Sequence, residues 1–272
     1  KHNLKLQKIK YLKNIDKIII IMKTIILAGG YGSRLEEITK IIPKPLVKIR
    51  KKPMLIHIMK IYLKYKNNDF IIALGYKGEK IVEYFSGKKV SKAIKKKLLQ
   101  GYSINYKIDG ESCRITFLET GLKTLTGGRV KKASKLVNDE IFFMTYGDGL
   151  SNVNLRNLLK QHNKQKKLVT VTAVNPPARF GELKIINKNV ESFSEKKSIK
   201  ESWINGGFFV MNKKFIKFIK NDSTILERDP LEKVSKAGQL SAYKHHGFWQ
   251  CMDTKRDKDN LEIILKKKSA RT

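Results

Sequence analysis

The fold is decided by the stretch Thr24-Ile25-Ile26-Leu27-Ala28-Gly29-Gly30-Tyr31-Gly32-Ser33-Arg34-Leu35. Its first four residues form a short run rich in β-branched side chains, which is typical of a strand buried on both faces of a parallel sheet. The glycines that follow let the backbone approach a ligand closely and direct N–H groups at anionic oxygens. Arg34 can hold two such oxygens at once. The stretch therefore predicts an α/β domain with a phosphate-binding loop after its first strand.

This loop differs from the two commonest phosphate-binding motifs. The dinucleotide fingerprint G-x-G-x-x-G would place its third glycine at residue 35, which is a leucine here. The G-K-S or G-K-T ending of the P-loop is also absent from the stretch. The pattern thus favours a different class of nucleotide-binding protein.

Apolar runs of strand length alternate with segments of helical spacing along the rest of the chain. Strands are predicted at 24–27, 70–74, 115–118, 141–146, 168–173, 183–186 and 207–211, and helices at 54–65, 78–85, 127–136, 155–164 and 231–237. This alternation predicts a mostly parallel sheet covered by helices on both faces. The lysine-rich stretch 88–109 interrupts the pattern and is expected to be a loop or an exposed helix.

The chain carries a large positive charge. Its 58 Lys and Arg residues outnumber 24 Asp and Glu residues, which gives a formal charge of +34 at pH 7. Such a balance can indicate nucleic acid, an anionic membrane or an acidic substrate. The chain is also rich in Ile and Asn, as coding DNA poor in G and C produces, and the lysines of 88–97 have no aromatic residues between them. We therefore expect a solvated surface and no nucleic-acid partner.

The first residues and the cysteines bear on targeting and location. Residues 1–21 carry six Lys and one Asp and precede Met22, so we expect a basic N-terminal extension that need not belong to the native protein, followed by one domain over 22–272. Lys23 interrupts the apolar run around it, well short of the roughly 20 residues that span a bilayer, so no membrane segment is expected. Cys113 and Cys251 are too few for a disulfide framework or a zinc site, which fits a reducing cytoplasm.

The loop ending in Arg34, followed by Pro43-Lys44-Pro45, resembles the signature of the sugar-phosphate nucleotidylyltransferases. Further motifs occur in the order found in one branch of that family, the glucose-1-phosphate cytidylyltransferases, and the match runs from Met22 to about Lys268. These motifs are Thr120–Arg129, Tyr146–Gly149, Pro176–Gly181, Asn205–Phe209 and Gly247–Thr254. The resemblance implies a doubly wound, Rossmann-like sheet with a smaller sugar-side subdomain. It also implies transfer of the cytidylyl group of CTP to α-D-glucose 1-phosphate, with Mg²⁺, giving CDP-glucose and pyrophosphate.

Asp148 is the one metal ligand that the residues themselves suggest, because it follows an apolar strand between two glycines, where ligands bind in such sheets. A capped turn is the alternative reading of Gly-Asp-Gly. The resemblance assigns metal binding to Asp148 and Asp253, and catalytic charge to Arg34, Lys44 and Lys196. It assigns the nucleotide to Leu27, Ala28, Gly29, Gly30, Tyr31, Gly32, Ser33, Thr124, Arg129 and Gly147, and the sugar to Glu195, Asn205 and Gly206.

Several points stay open at this stage. A thymidylyl or uridylyl transferase is the alternative within the class, because the cytosine assignment depends on 124–129, where relatives that read uracil or thymine carry a Gln and P-x-G-L-A. A catalytically inactive nucleotide-sugar sensor would lack the metal aspartates, and both are present. The chain departs from the family at Ile42, Lys197 and Cys251. The resemblance further implies a homo-oligomer and a role in nucleotide-sugar supply, such as that for O-antigen lipopolysaccharide.

Overall fold

The computed structural model describes residues 22–175, 182–194 and 202–269. The strands are β1 (Thr24–Leu27), β2 (Lys48–Ile49), β3 (Lys52–Pro53), β4 (Asp69–Leu74), β5 (Tyr102–Ile108), β6 (Glu111–Glu119), β7 (Ile141–Tyr146), β8 (Gly149–Ser151), β9 (Val169–Val174), β10 (Glu182–Ile186), β11 (Asn189–Ser194), β12 (Ile204–Asn212), β13 (Leu240–His245) and β14 (Trp249–Cys251). The α-helices are α1 (Glu36–Thr39), α2 (Met54–Leu63), α3 (Gly78–Ser86), α4 (Lys92–Leu98), α5 (Thr126–Ser134), α6 (Leu155–Gln165), α7 (Asp229–Lys236) and α8 (Lys255–Ser269).

Eight strands form the central sheet, in the order β13-β9-β12-β7-β1-β4-β6-β5. Strands β6, β4, β1 and β7 are parallel, whereas β12 and the edge strand β5 run antiparallel to their neighbours. The chain leaves β1 to build β4 and β6 on one side and then returns to place β7 on the other. The sheet is therefore doubly wound, as predicted, and its switch point lies between the carboxyl ends of β1 and β7, where ligands bind in open α/β sheets.

The sheet separates two apolar layers, and β1 contributes to both. Ile25 and Ile26 have no exposed surface, and they belong to different core clusters because successive side chains of a strand point to opposite faces. Helix α2 packs in the cluster of Ile26, and helix α5 packs in that of Ile25. A strand covered on both faces needs an uninterrupted apolar run, which explains why this stretch predicts the fold.

The lysine-rich stretch is partly different from its prediction. Its first part is the exposed helix α4, capped by Ser91, whose hydroxyl accepts a hydrogen bond from the backbone N–H of Ile94. Its second part is β5, so the prediction of a loop or helix was wrong there. Tyr102, Ile104 and Tyr106 are half-buried and alternate with exposed residues along an edge strand paired with β6. This weak alternation is masked in the sequence by the charged residues around it.

Strands β10 and β11 form a separate two-stranded antiparallel sheet, with an irregular register between Lys184 and Ile185. The smaller sugar-side subdomain stays a prediction. The motif Pro176–Gly181, the predicted ligands Glu195 and Lys196, and the extension 1–21 lie outside the described residues. None of the helices in the described ranges is long and apolar enough to cross a bilayer.

The core gives a direct test of the fold. Phe143 of β7 is 2% exposed, and its ring meets Tyr62 of α2 edge to face at 5.6 Å. Replacing Phe143 by Ala should lower the free energy of unfolding by about 3–5 kcal/mol, because a cavity opens between sheet and helix. Ile263→Ala is the control, since Ile263 is 55% exposed and its truncation should change stability by about 0.5 kcal/mol or less. Equal effects of the two variants in urea denaturation would contradict this packing.

Candidate active site

A cleft of ≈ 330 Å³ opens at the switch point between β1 and β7. Most of the predicted nucleotide and phosphate ligands line it, namely Leu27, Ala28, Gly29, Gly30, Tyr31, Gly32, Ser33, Arg34, Lys44, Thr124, Arg129, Gly147 and Asp148. These residues come from the loop after β1, from the turn at Lys44, from the loop before α5 and its first residues, and from the segment after β7. The sheet topology therefore brings together residues that are far apart in the sequence.

The turn at Gly32 shapes the phosphate loop. Gly32 has a φ of 67°, and a Cβ there would lie 2.8 Å from the Thr39 methyl group, so only glycine fits. The Thr39 hydroxyl donates to the Gly32 carbonyl at 3.1 Å. The chain then enters a short 3₁₀ turn over Ser33–Leu35, which carries Arg34 to the cleft.

Arg129 braces the same loop from behind. Its guanidinium is 4% exposed and donates to the carbonyl of Gly29 at 3.0 Å, to the carbonyl of Leu74 and to the Thr120 hydroxyl. A Cβ at Gly29 would lie 2.3 Å from the guanidinium nitrogen. The sequence predicts that Arg129 contacts nucleotide. In the structure its donors hold the backbone of the phosphate loop instead, and a direct contact with nucleotide stays a prediction.

Lys44 joins the two predicted metal carboxylates. Its ammonium donates to Asp148 Oδ2 at 2.7 Å and to Asp253 Oδ1 at 2.8 Å, and Arg34 donates to Asp253 Oδ2 at 2.8 Å. Lys44 is nearly buried, with 11% of its side chain exposed, whereas Arg34 is 69% exposed. The formal charges of the four groups cancel, and the Arg34 guanidinium remains accessible to a ligand in the cleft.

Strand pairing explains why the two carboxylates meet. Asp148 directly precedes β8 and Asp253 closely follows β14, and these strands pair with Gly149 opposite Cys251. The Met252 N–H donates to the Asp148 carbonyl at 2.9 Å, which extends the ladder to the carboxylates. Lys44 reaches them from a proline-flanked 3₁₀ turn over Lys44–Leu46, whose φ angles proline restricts.

A capping arrangement that the sequence analysis missed fixes the backbone at Asp253. Asp257 is 8% exposed, and its Oδ2 accepts from the N–H of Asp253 at 3.1 Å and from the N–H and hydroxyl of Thr254 at 2.9 Å each. The Thr254 hydroxyl in turn accepts from the Asp257 N–H. This is a capping box at the start of α8, and the spacing Thr254-x-x-Asp257 was its signal in the sequence.

The electrostatics of the cluster follow from its geometry. Burial alone would raise the pKa of Asp253, but Lys44 and Arg34 outweigh it and hold that pKa below its ordinary value. Burial alone would lower the pKa of Lys44, and the two aspartates outweigh it, so this pKa is raised. Burial and the same carboxylates raise the pKa of the nearby Cys251 thiol to about 12. The cluster therefore offers an ionised Asp253 carboxylate and a neutral Cys251 thiol at neutral pH.

This donor set fits Mg²⁺. The ion prefers hard oxygen ligands, and proteins commonly supply only one or two carboxylates while substrate phosphates and water complete the shell. A neutral thiol is a poor ligand for it. Asp148 and Asp253 are the residues that could hold such an ion. Across the described ranges no group of three or more His, Cys, Asp or Glu side chains is arranged to bind a metal.

The start of α5 is held by the segment 222–224, about which no prediction was made. The Leu125 N–H donates to the Asp222 carbonyl at 2.8 Å, and the Gly127 N–H donates to the Thr224 carbonyl at 2.9 Å. A Cβ at Gly128 would lie 2.6 Å from the Asp222 backbone. The Thr124 hydroxyl donates to the Thr120 carbonyl at 2.6 Å, so this hydroxyl orders the loop.

Two of the three predicted sugar ligands, Asn205 and Gly206, lie within the described residues. Asn205 is exposed, and its amide donates to the Tyr146 hydroxyl at 3.2 Å. The Gly206 carbonyl accepts from the indole N–H of Trp249 at 2.7 Å, so Trp249 links this region to β14. The predicted positions are thus adjacent to the cleft through Tyr146, which lines it.

Comparisons with known proteins agree with this site. The model of the nucleotidyl transferase family matches residues 23–253, and the chain belongs to this family. It is 44% identical to a probable glucose-1-phosphate cytidylyltransferase of Bacillus subtilis, over 86% of this chain and 92% of the relative. It is 43% identical to a glucose-1-phosphate cytidylyltransferase of Salmonella typhimurium, over 92% of this chain and 98% of the relative. The resemblance predicted from the motifs is therefore confirmed.

Solved structures share the fold at lower identity. HddC from Yersinia pseudotuberculosis superposes with a TM-score of 0.67 at 23% identity, covering 90% of this chain and 99% of that one. A UDP-glucose pyrophosphorylase complexed with UDP-glucose superposes with a TM-score of 0.66 at 18% identity, covering 92% of this chain and 100% of that one. These likenesses confirm the doubly wound α/β fold.

Adjacent glycines in the loop provide a matched test of the Arg129 brace. Gly29→Ala should lower stability by about 1–3 kcal/mol, because the new methyl group displaces a buried guanidinium from its carbonyl partners. Gly30→Ala is the control, since a Cβ there has no atom within 4 Å and should leave the melting temperature nearly unchanged. Thermal denaturation compares the two. A Gly29→Ala protein as stable as the Gly30→Ala protein would show that the brace contributes little.

Proposed function

We propose that the protein transfers the cytidylyl group of CTP to α-D-glucose 1-phosphate, releasing pyrophosphate and forming CDP-glucose. One observation carries the proposal: Asp148 and Asp253 lie together, held by Lys44 and Arg34, beside a glycine-rich loop at the sheet switch point. The cytidylyltransferases of Bacillus subtilis and Salmonella typhimurium support the choice of nucleotide and sugar.

The reaction needs alignment and charge neutralisation more than an acid or a base. An oxygen of the sugar phosphate, already ionised at neutral pH, forms a bond to the α-phosphorus of CTP while the bond from that phosphorus to pyrophosphate breaks. Gly29 to Ser33 offer backbone N–H groups to the triphosphate, and Arg34 lies exposed beside them. Lys44 supplies a second positive charge to the departing pyrophosphate. We propose that Lys196, outside the described residues, meets the sugar phosphate.

Asp148 and Asp253 would hold the Mg²⁺ ion that the resemblance implies. When bound, the ion supplies positive charge to phosphate oxygens and helps to orient them. Lys44 and Arg34, which contact these carboxylates, would supply further positive charge to the triphosphate beside the ion.

The proposal also includes the location of the protein, its assembly and its direct contacts with the substrates. We propose a cytoplasmic location, because Cys113 and Cys251 are free thiols that are not joined in a disulfide. A homo-oligomer and a role in O-antigen lipopolysaccharide supply stay predictions from the resemblance. Direct contacts of Thr124, Arg129 and Gly147 with nucleotide, and of Glu195, Asn205 and Gly206 with the sugar, are part of the same proposal.

The base assignment is tested by competition between nucleotides. With glucose 1-phosphate and Mg²⁺, kcat/KM for CTP should exceed that for UTP and for dTTP at least about tenfold, because a site that hydrogen-bonds the cytosine edge leaves polar groups unpaired with the other bases. Pyrophosphate release measures all three at equal concentration. Equal or faster turnover with UTP or dTTP would replace this assignment with the uridylyl or thymidylyl alternative.

The metal assignment is tested by removing one charge at a time. Asp148→Asn and Asp253→Asn should each lower kcat by about 100-fold or more with the fold intact, and the losses should not add in the double variant, since two ligands of one ion act as a unit. Asp229→Asn is a control, because this carboxylate pairs with Lys220 and Lys233 away from the cleft. Additive losses would indicate separate roles for the two aspartates. Unchanged kcat and Mg²⁺ dependence would refute the metal site.

A further inference from the structure

Glu227 connects the nucleotide side of the cleft to its sugar side. Its Oε2 accepts from the Thr126 hydroxyl at 2.7 Å, and its Oε1 accepts from the Tyr146 hydroxyl at 2.5 Å. Thr126 is the first residue of α5 and Tyr146 is the last of β7, and both line the cleft. Nothing in the proposed reaction uses Glu227 as a ligand of the nucleotide or the metal.

The hydrogen bonds around Glu227 have a fixed direction. The Tyr146 hydroxyl donates to the Glu227 carboxylate, and the Tyr146 oxygen is left to accept from the Asn205 amide at 3.2 Å. The Asn205 side-chain carbonyl accepts from the Gly207 N–H at 2.8 Å. The Asn205 amide is therefore held in one of its two orientations, with its NH₂ group available as the donor.

The Tyr146 ring has little freedom to break this chain. Gly207 has a φ of 80°, and a Cβ there would lie 2.7 Å from the Tyr146 ring, so the ring packs directly against the Gly207 backbone. The ring also meets Phe209 edge to face at 6.0 Å. Because the ring is confined, the direction of its hydroxyl is decided by the acceptor that Glu227 supplies.

We propose that Glu227 is a positioning residue for the sugar phosphate: acting through Tyr146, it holds the Asn205 amide in place as a donor to an oxygen of glucose 1-phosphate. The inference rests on the proposed function, in which Asn205 contacts the sugar. If an amide replaces the carboxylate, its NH₂ group can donate to Tyr146. The Tyr146 hydroxyl is then free to donate toward Asn205, whose NH₂ group loses its acceptor while the Gly207 N–H still holds the Asn205 carbonyl. The Asn205 NH₂ group is then no longer held in place to donate to a substrate oxygen.

The experiment separates the two substrates. In Glu227→Gln, KM for glucose 1-phosphate should rise about tenfold while KM for CTP stays within about twofold, since one buried directional hydrogen bond is lost on the sugar side alone. Tyr146→Phe should act in the same way, because it keeps the ring and removes the hydroxyl, and the double variant should add little to either single one. Calorimetric binding of CDP-glucose, compared with that of CTP, gives a second readout. Glu232→Gln is the matched control, since this exposed residue of α7 loses the same charge and should change neither constant.

Each outcome decides the inference. A rise confined to glucose 1-phosphate supports it. An equal rise in KM for both substrates overturns it. A lower melting temperature with both KM values unchanged also overturns it, because Glu227 would then only hold its own segment of the chain against α5. If Glu227→Gln does not fold, Tyr146→Phe carries the same test. A wild-type protein that makes no CDP-glucose refutes the proposed function, whereas a wild type that makes it and variants that behave like it refute the role of Glu227 alone.

Discussion

The ammonium group of Lys44 lies within hydrogen-bond distance of two carboxylates, one 104 residues and the other 209 residues further along the chain. Without a cation between them, Asp148 and Asp253 would repel each other. The surrounding structure keeps the three groups in place: a proline-flanked turn carries Lys44, the β8–β14 ladder aligns the aspartates, and Asp257 fixes the backbone beside Asp253. Since one ammonium neutralises part of the charge of each carboxylate, the pair is stable before any ligand arrives and can exchange that cation for another.

Sequence reasoning succeeds where a function depends on a local pattern. The run Thr24–Leu27 is recognisable because burial on both faces favours successive apolar and β-branched side chains, and its predicted bounds match those of β1. Asp148 could be placed at the carboxyl edge of the sheet because it follows a second such strand. Asp253 could be paired with it only through the family resemblance, because their proximity depends on the ladder between β8 and β14, which no local pattern encodes.

The contacts that escaped prediction are long-range and polar. Glu227 meets Tyr146 across 81 residues and Thr126 across 101, and nothing in the segment around it indicates a cleft residue. Strand β5 alternates as an edge strand should, but Lys107 and Asp109 and the lysines before them conceal its apolar half. From the sequence alone, Arg129 could donate hydrogen bonds to a ligand. Only the structure shows that its guanidinium donates to Gly29, Leu74 and Thr120. In each case the sequence does not show which distant residues the side chain will contact.

The order of these segments along the chain also matters while the protein is being made. Strands β1, β4, β6 and β7, which form the parallel core and the phosphate loop, all precede residue 150, whereas Asp253 and the cap that fixes it follow β14. A chain still emerging from the ribosome can therefore pair its central strands and shape part of a nucleotide cleft while one carboxylate of the pair is missing. Lys44 and Asp148 can meet at this stage, but their charge balance is completed only when α8 has formed. The residues of the phosphate loop are thus synthesised before Asp253, the second carboxylate proposed to take part in the reaction.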